Sequence, residues 1–131
     1  MMEGHWTTNW LGRPWIAGTY QCEDFVAEVL REEFGLDVPK DLRGGERDWD
    51  RQLAAHAERR WRRADTPQDG DGVLMEFAGA LARRFYHVGV YAAGRPPCVL
   101  HCPREGTSVL HPVTELAAHG LRLEGVYRWT G

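Results

Sequence analysis

After the turn-rich stretch DTPQDGDG (65–72) the chain changes its hydrophobic period, and this change constrains the fold more than any other feature. Four short runs follow, VLMEF (73–77), YHVGVYA (86–92), CVLHC (98–102) and GVYRW (125–129), each rich in β-branched or aromatic residues and bounded by Gly, Pro or polar residues. Such runs read as strands joined by antiparallel connections. Before the change the period is helical. In GTYQCEDFVAEVLREEFG (18–35), Phe25, Val26, Val29, Leu30 and Phe34 share one face, and Gly35 suits the left-handed position past a helix end. The spacing predicts a helix from Cys22 to Phe34. A second helix is expected over 46–64, where Trp49, Leu53, His56 or Ala57, and Arg60 or Trp61 form a stripe. A short helix is expected in PVTELAAHG (112–120), with Pro112 near its first turn and Gly120 past its end. Helices first and strands after predict an α+β fold with the Cys22 helix packed on the sheet.

At 131 residues the chain fits a single domain, 1–131, large enough to bury a core without disulfides or metals. The aromatic opening HWTTNWLGRPW (5–15) has no clean period and is expected to pack irregularly on the domain, since a loose tail would not carry three Trp residues. A net charge of -3 gives no electrostatic case for nucleic acid. The basic cluster Arg59, Arg60, Arg62 and Arg63 is expected to be a solvated helix face. No apolar run approaches the ~18 residues of a membrane span, and no export signal opens the sequence, so the product is expected to be cytosolic when made. Three cysteines do not make a disulfide framework. Cys98 and Cys102, if on one strand, stand ~13 Å apart, too far for a bridge without a turn. The spacing of Cys98, His101, Cys102 and His111 matches no standard zinc pattern, so neither metal nor cofactor is expected.

Cys22 opens a helix, where unsatisfied backbone N–H groups and the helix dipole favour a thiolate. A nucleophile of this kind needs a base, and the base needs an orienting partner. His87 begins one strand and His101 ends the next, so residues 14 positions apart (101 − 87) can be rim neighbours across antiparallel strands. Each residue has a plainer reading as a small buried hydrophobe or a satisfied core histidine.

The order and spacing of W…GRPWIAGTYQCEDFVAEVLREEFGLDVP, GDGVLMEF, HVGVY, VLHC and LEGVYRW resembles the NlpC/P60 cysteine peptidases, in particular the branch of phage tail assembly and gene-transfer-agent cell-wall peptidases. The resemblance covers nearly the whole chain, least in its arginine-rich middle. It implies a papain-like α+β fold and hydrolysis of peptidoglycan peptide stems, at a D-γ-glutamyl–diamino acid type of bond. It places the nucleophile on Cys22, the general base on His87 and the orienting group on His101, with backbone N–H groups at the helix start holding the oxyanion. Other subunits of a phage or phage-like tail are the implied partners, and the tail the implied destination. The alternative is a catalytically silent tail-tip assembly protein on the same fold.

Departures from the family pattern gather beside the nucleophile. Gln21 replaces an Asp, and Glu23 and Asp24 replace small or aromatic residues. Two carboxylates there oppose the thiolate, so activation is expected to lean on a His87 imidazolium. Trp15 stands where the family carries a hydroxyl-bearing aromatic, with Tyr20 as a substitute. Trp15, Tyr20, Gln21, Glu23 and Asp24 are the expected substrate-binding residues, with Glu23 or Asp24 reading an amine on the stem. Cys102, next to His101, is placed for oxidation with Cys22 if the strand end bends toward it.

Overall fold

The computed structural model of the protein describes residues 5–38, 60–77 and 86–131. Within them one α-helix, α1 (Cys22–Phe34), lies against a six-stranded antiparallel sheet. The strands are β1 (Trp61–Arg63), β2 (Gly72–Phe77), β3 (Tyr86–Ala92), β4 (Cys98–His101), β5 (Val109–Pro112) and β6 (Leu121–Trp129), in the spatial order β1-β6-β2-β3-β4-β5. Among the described residues there are also two 3-10 helices, Trp6–Trp10 and Val113–His119. The architecture is α+β. Among the described residues no helix is long and apolar enough to cross a membrane.

α1 has the bounds its sequence predicts, because the signals that set it are local. Phe25, Val26, Val29 and Leu30 are buried on one face. The backbone N–H of Gln21 donates to the Asp24 carboxylate at 3.0 Å, which ties down the helix start. At the other end Gly35 takes φ 66°, and the Leu36 N–H reaches back to the Leu30 carbonyl at 3.0 Å, closing a Schellman turn.

Two apolar clusters hold the layers together. The first joins Phe25, Val29 and Leu30 of α1 to Leu74, Val88, Val90 and Leu100 of the sheet, and takes in Cys22, Cys102 and Trp10. The second gathers Val73, Met75, Val99, Leu121 and Val126 around Leu116 of the 3-10 helix. The aromatic N-terminal segment packs as expected: Trp10 is buried and its indole N–H donates to Glu33 at 2.8 Å. Residues 12–15 run beside 106–108, with Gly12 N–H on the Ser108 carbonyl and Trp15 N–H on the Gly106 carbonyl, both at 2.9 Å.

Two expectations are corrected. The helix expected over 46–64 lies outside the described residues for 46–59, and its end is not helical: Trp61–Arg63 is a strand paired with Tyr127–Trp129. Trp61 gains more by burying its ring edge-on against Trp129, centroids 5.1 Å apart, than a helix stripe offers it. Arg62 and Arg63 are accordingly solvated on an edge strand. The short helix at 112–120 forms as a 3-10 helix, Val113–His119, and is preceded by the unanticipated strand β5.

Candidate active site

β3 and β4 pair in the register Gly89↔His101, which places His87, two positions from Gly89 on the same face, diagonal to His101. The two rings meet: His87 Nε2 and His101 Nδ1 are 2.8 Å apart. Gly89 makes this possible. A Cβ there would come within 2.6 Å of Val99 Cγ1 and 2.9 Å of the Leu100 carbonyl oxygen, forcing the strands apart.

Both rings are buried, His87 at 1 % and His101 at 1 % exposure. Burial pulls the His87 pKa down to about 4. His101 is pulled to about 2, first by burial and then by the neighbouring His87, His111 and His119. The pair is therefore neutral at physiological pH. The imidazolium on which activation was expected to lean is disfavoured, because the ring has no water to solvate its charge. One nitrogen is left over: among the described residues His87 Nδ1 is buried and has no hydrogen-bond partner. A buried polar atom of this kind calls for an explanation.

Cys22 sits at the first residue of α1, which packs on the Val88 and Val90 face of β3. Strand alternation turns the His87 and His101 rings to the opposite face, with Met75 and Val99, so the structure does not bring the thiol to His87. The exposure of Cys22 is 0 %, so the sulfur is closed over even though two charged residues follow it. Those neighbours are engaged locally. Glu23 accepts the Cys22 thiol at 3.2 Å and the Gln21 side-chain amide at 3.2 Å. Asp24 secures the helix start through its bond from Gln21 N–H, and the Gln21 side-chain oxygen accepts Gly18 N–H at 2.8 Å. The carboxylates therefore have structural work beyond any role toward substrate.

Tyr20, the expected stand-in hydroxyl, donates to Glu28 at 2.6 Å, and Glu28 also pairs with Arg13 at 2.9 Å. Burial, then the bond and charge of Glu28, push the Tyr20 pKa up. Trp15 packs against the α1 cluster, with Arg104 5.7 Å from its ring centroid and its indole nitrogen buried. Cys22, Cys98 and Cys102 are all free thiols. Cys102 shares the first cluster with Cys22, and burial raises its pKa to about 11, so it is a poor partner for oxidation in this state. Among the described residues no three His, Cys, Asp or Glu side chains are grouped as metal ligands would be.

Two residues go beyond the expected set. His111 of β5 lies 2.9 Å from His101, Nδ1 to Nε2, and His119 stacks on His111 with centroids 3.8 Å apart. The signal for them was the pairing of VLHP with β4, which brings His111 opposite Val99.

No protein-family model and no curated protein sequence matches this chain.

Proposed function

We propose that the protein is a cysteine peptidase of the NlpC/P60 type, on a papain-like fold, that hydrolyses peptide stems of bacterial peptidoglycan as part of a phage or phage-like tail. One observation carries the reading: a buried His87 is anchored by His101 through Nε2 and keeps an unpartnered Nδ1, on the strand whose other face packs against the Cys22 helix. A histidine held at one nitrogen and unoccupied at the other has the form of a general base waiting for its proton.

The mechanism requires the start of α1 to rearrange, because the thiol must leave Glu23 and reach Nδ1 of His87, whose ring lies on the sheet face opposite α1. Because the ring is neutral, it acts as a base rather than as one half of a standing ion pair. Nδ1 takes the thiol proton as sulfur bonds to the amide carbonyl carbon. Backbone N–H groups at the start of α1 hold the oxyanion. The proton then passes to the departing amine, and water, deprotonated by Nδ1, opens the thioester to release the acid and restore the thiol. His101 keeps the ring oriented throughout.

A second reading, a catalytically silent tail-tip assembly protein, is favoured by the complete burial of Cys22 and its bond to Glu23. Purified peptidoglycan and a synthetic stem peptide, incubated with wild-type protein and with Cys22→Ala, separate the two by mass spectrometry. Cleavage by the wild type alone supports the peptidase. No cleavage by folded, reduced protein supports the assembly role.

A further inference from the structure

His87, His101 and His111 form one continuous chain of imidazoles, with contacts of 2.8 Å and 2.9 Å. Strand register explains why three rings line up. His87 is on the phase of Gly89, Gly89 pairs with His101, and His101 and Val99 pair with Val109 and His111. All three therefore share one face of the sheet.

The atoms used are the informative part. Each contact joins an Nε2 to an Nδ1, His87 to His101 and His101 to His111. A neutral imidazole carries one proton, so two head-to-tail arrangements satisfy both bonds: every ring protonated at Nε2, or every ring protonated at Nδ1. The second would place an N–H on His87 Nδ1, which is buried and has no acceptor among the described residues. The first leaves a lone pair there and puts the last N–H on His111, whose ring is only partly buried. Two charged or titratable groups of the 3-10 helix act on that outer ring. Glu115 draws positive charge toward it, while His119, stacked upon it, opposes charge there as burial does.

We propose that His111 is a positioning residue for the His87–His101 pair: by accepting the Nε2 proton of His101 it fixes both inner rings as Nε2–H tautomers, leaving Nδ1 of His87 as the acceptor, and it offers the acquired charge a route outward. The route balances. The S–H bond breaks and an N–H forms at His87 Nδ1; the His87 Nε2 proton moves to His101 Nδ1; the His101 Nε2 proton moves to His111 Nδ1. The positive charge then rests on the partly exposed ring beside Glu115 instead of the buried one. Transfer in reverse returns a proton to the departing amine. The catalytic consequence rests on the peptidase reading, whereas the tautomer order does not.

Long-range 15N–1H spectra of the imidazoles test the order directly in the wild-type protein. Expected are unprotonated Nδ1 and protonated Nε2 in all three rings at neutral pH; a protonated Nδ1 on His87 or His101 overturns the proposal. His111→Gln keeps an acceptor oxygen and is expected to leave His101 an Nε2–H tautomer, whereas His111→Leu is expected to shift it toward Nδ1–H. An unchanged His101 spectrum in folded His111→Leu also overturns the proposal. Should that variant not fold, the wild-type and His111→Gln spectra decide alone. On stem peptide, His111→Leu is expected to lose about tenfold in kcat with KM unchanged, and His111→Gln to recover most of it. Absence of cleavage by the wild type counts against the peptidase reading, and the spectra still decide the relay.

Discussion

His87 Nε2 and His101 Nδ1 are joined at 2.8 Å between two rings that burial keeps neutral. That neutrality has a cost in acid. The unfolded chain binds a proton at His87 as pH falls below its ordinary value of about 6.5, but the folded protein refuses it until about 4. Stability is thus fully present above the unfolded value and is lost as pH falls through the window between the two. From His87 alone the loss approaches on the order of 3 kcal/mol at the bottom of the window, and His101 and His111, shifted in the same direction, add to it. Urea midpoints measured from pH 7.5 to pH 4.5 should fall steadily, and His87→Gln should flatten the decline. A pH-independent midpoint in the wild type would show that the rings are not buried neutral.

Gly89 permits that same pair to meet. Gly89→Ala inserts a methyl group 2.6 Å from Val99 Cγ1 and 3.1 Å from His101 Cβ, and neither strand can yield without breaking the β3–β4 ladder. A loss of about 1–3 kcal/mol in urea unfolding is expected. The His87–His101 contact should also weaken, so the imidazole spectrum of the surviving folded protein should change. An alanine variant with wild-type stability and spectrum would mean that β3 and β4 are less tightly apposed than the structure has them.

What could be read from the sequence depended on how local the deciding forces were. α1 was legible to the residue because its apolar spacing and Gly35 lie within the element itself. β3 was equally plain, and the His87–His101 encounter followed from ordinary antiparallel geometry. β5 was not, since VLHP is four residues long and becomes a strand only by pairing with Cys98–His101, and with it His111 was passed over. Trp61 misled because the Arg- and Ala-rich run around it favours helix, while its actual partner, Trp129, lies at the far end of the chain. The burial of Cys22 was hidden because Glu23 and Asp24 look like solvent-facing charges, yet their carboxylates are taken up at the helix start.

The Trp61 and Trp129 rings are nearly buried, at 8 % and 7 % exposure, and pack edge-on between the terminal pair of strands. A three-residue strand has little ladder of its own, so the ring contact adds to the bonds of Arg63 to Tyr127 and Glu124 in retaining β1. Trp61→Ala should cost about 3 kcal/mol, and Trp61→Phe clearly less, because an aromatic edge remains to meet Trp129. Hydrogen exchange adds a local readout. Amides of Arg128 and Thr130, at the β1 side of β6, should lose protection in the alanine variant more than those of β3 and β4. Uniform loss across the sheet would instead make Trp61 a support of the whole core.

Glu23 restrains the proposed nucleophile. Its carboxylate accepts the Cys22 thiol at 3.2 Å, and a negative charge at that distance opposes formation of a second one on sulfur. Glu23→Gln removes the charge but keeps a hydrogen-bonding side chain of similar size. Iodoacetamide modification of Cys22 at pH 7, followed by peptide mass spectrometry, should therefore accelerate several-fold in Glu23→Gln. Burial alone would slow wild type and variant alike, so an unchanged rate would assign the restraint to the packing around sulfur and leave Glu23 with only its bonds at the helix start. Acceleration would identify the Glu23 carboxylate as the group that keeps the thiol protonated.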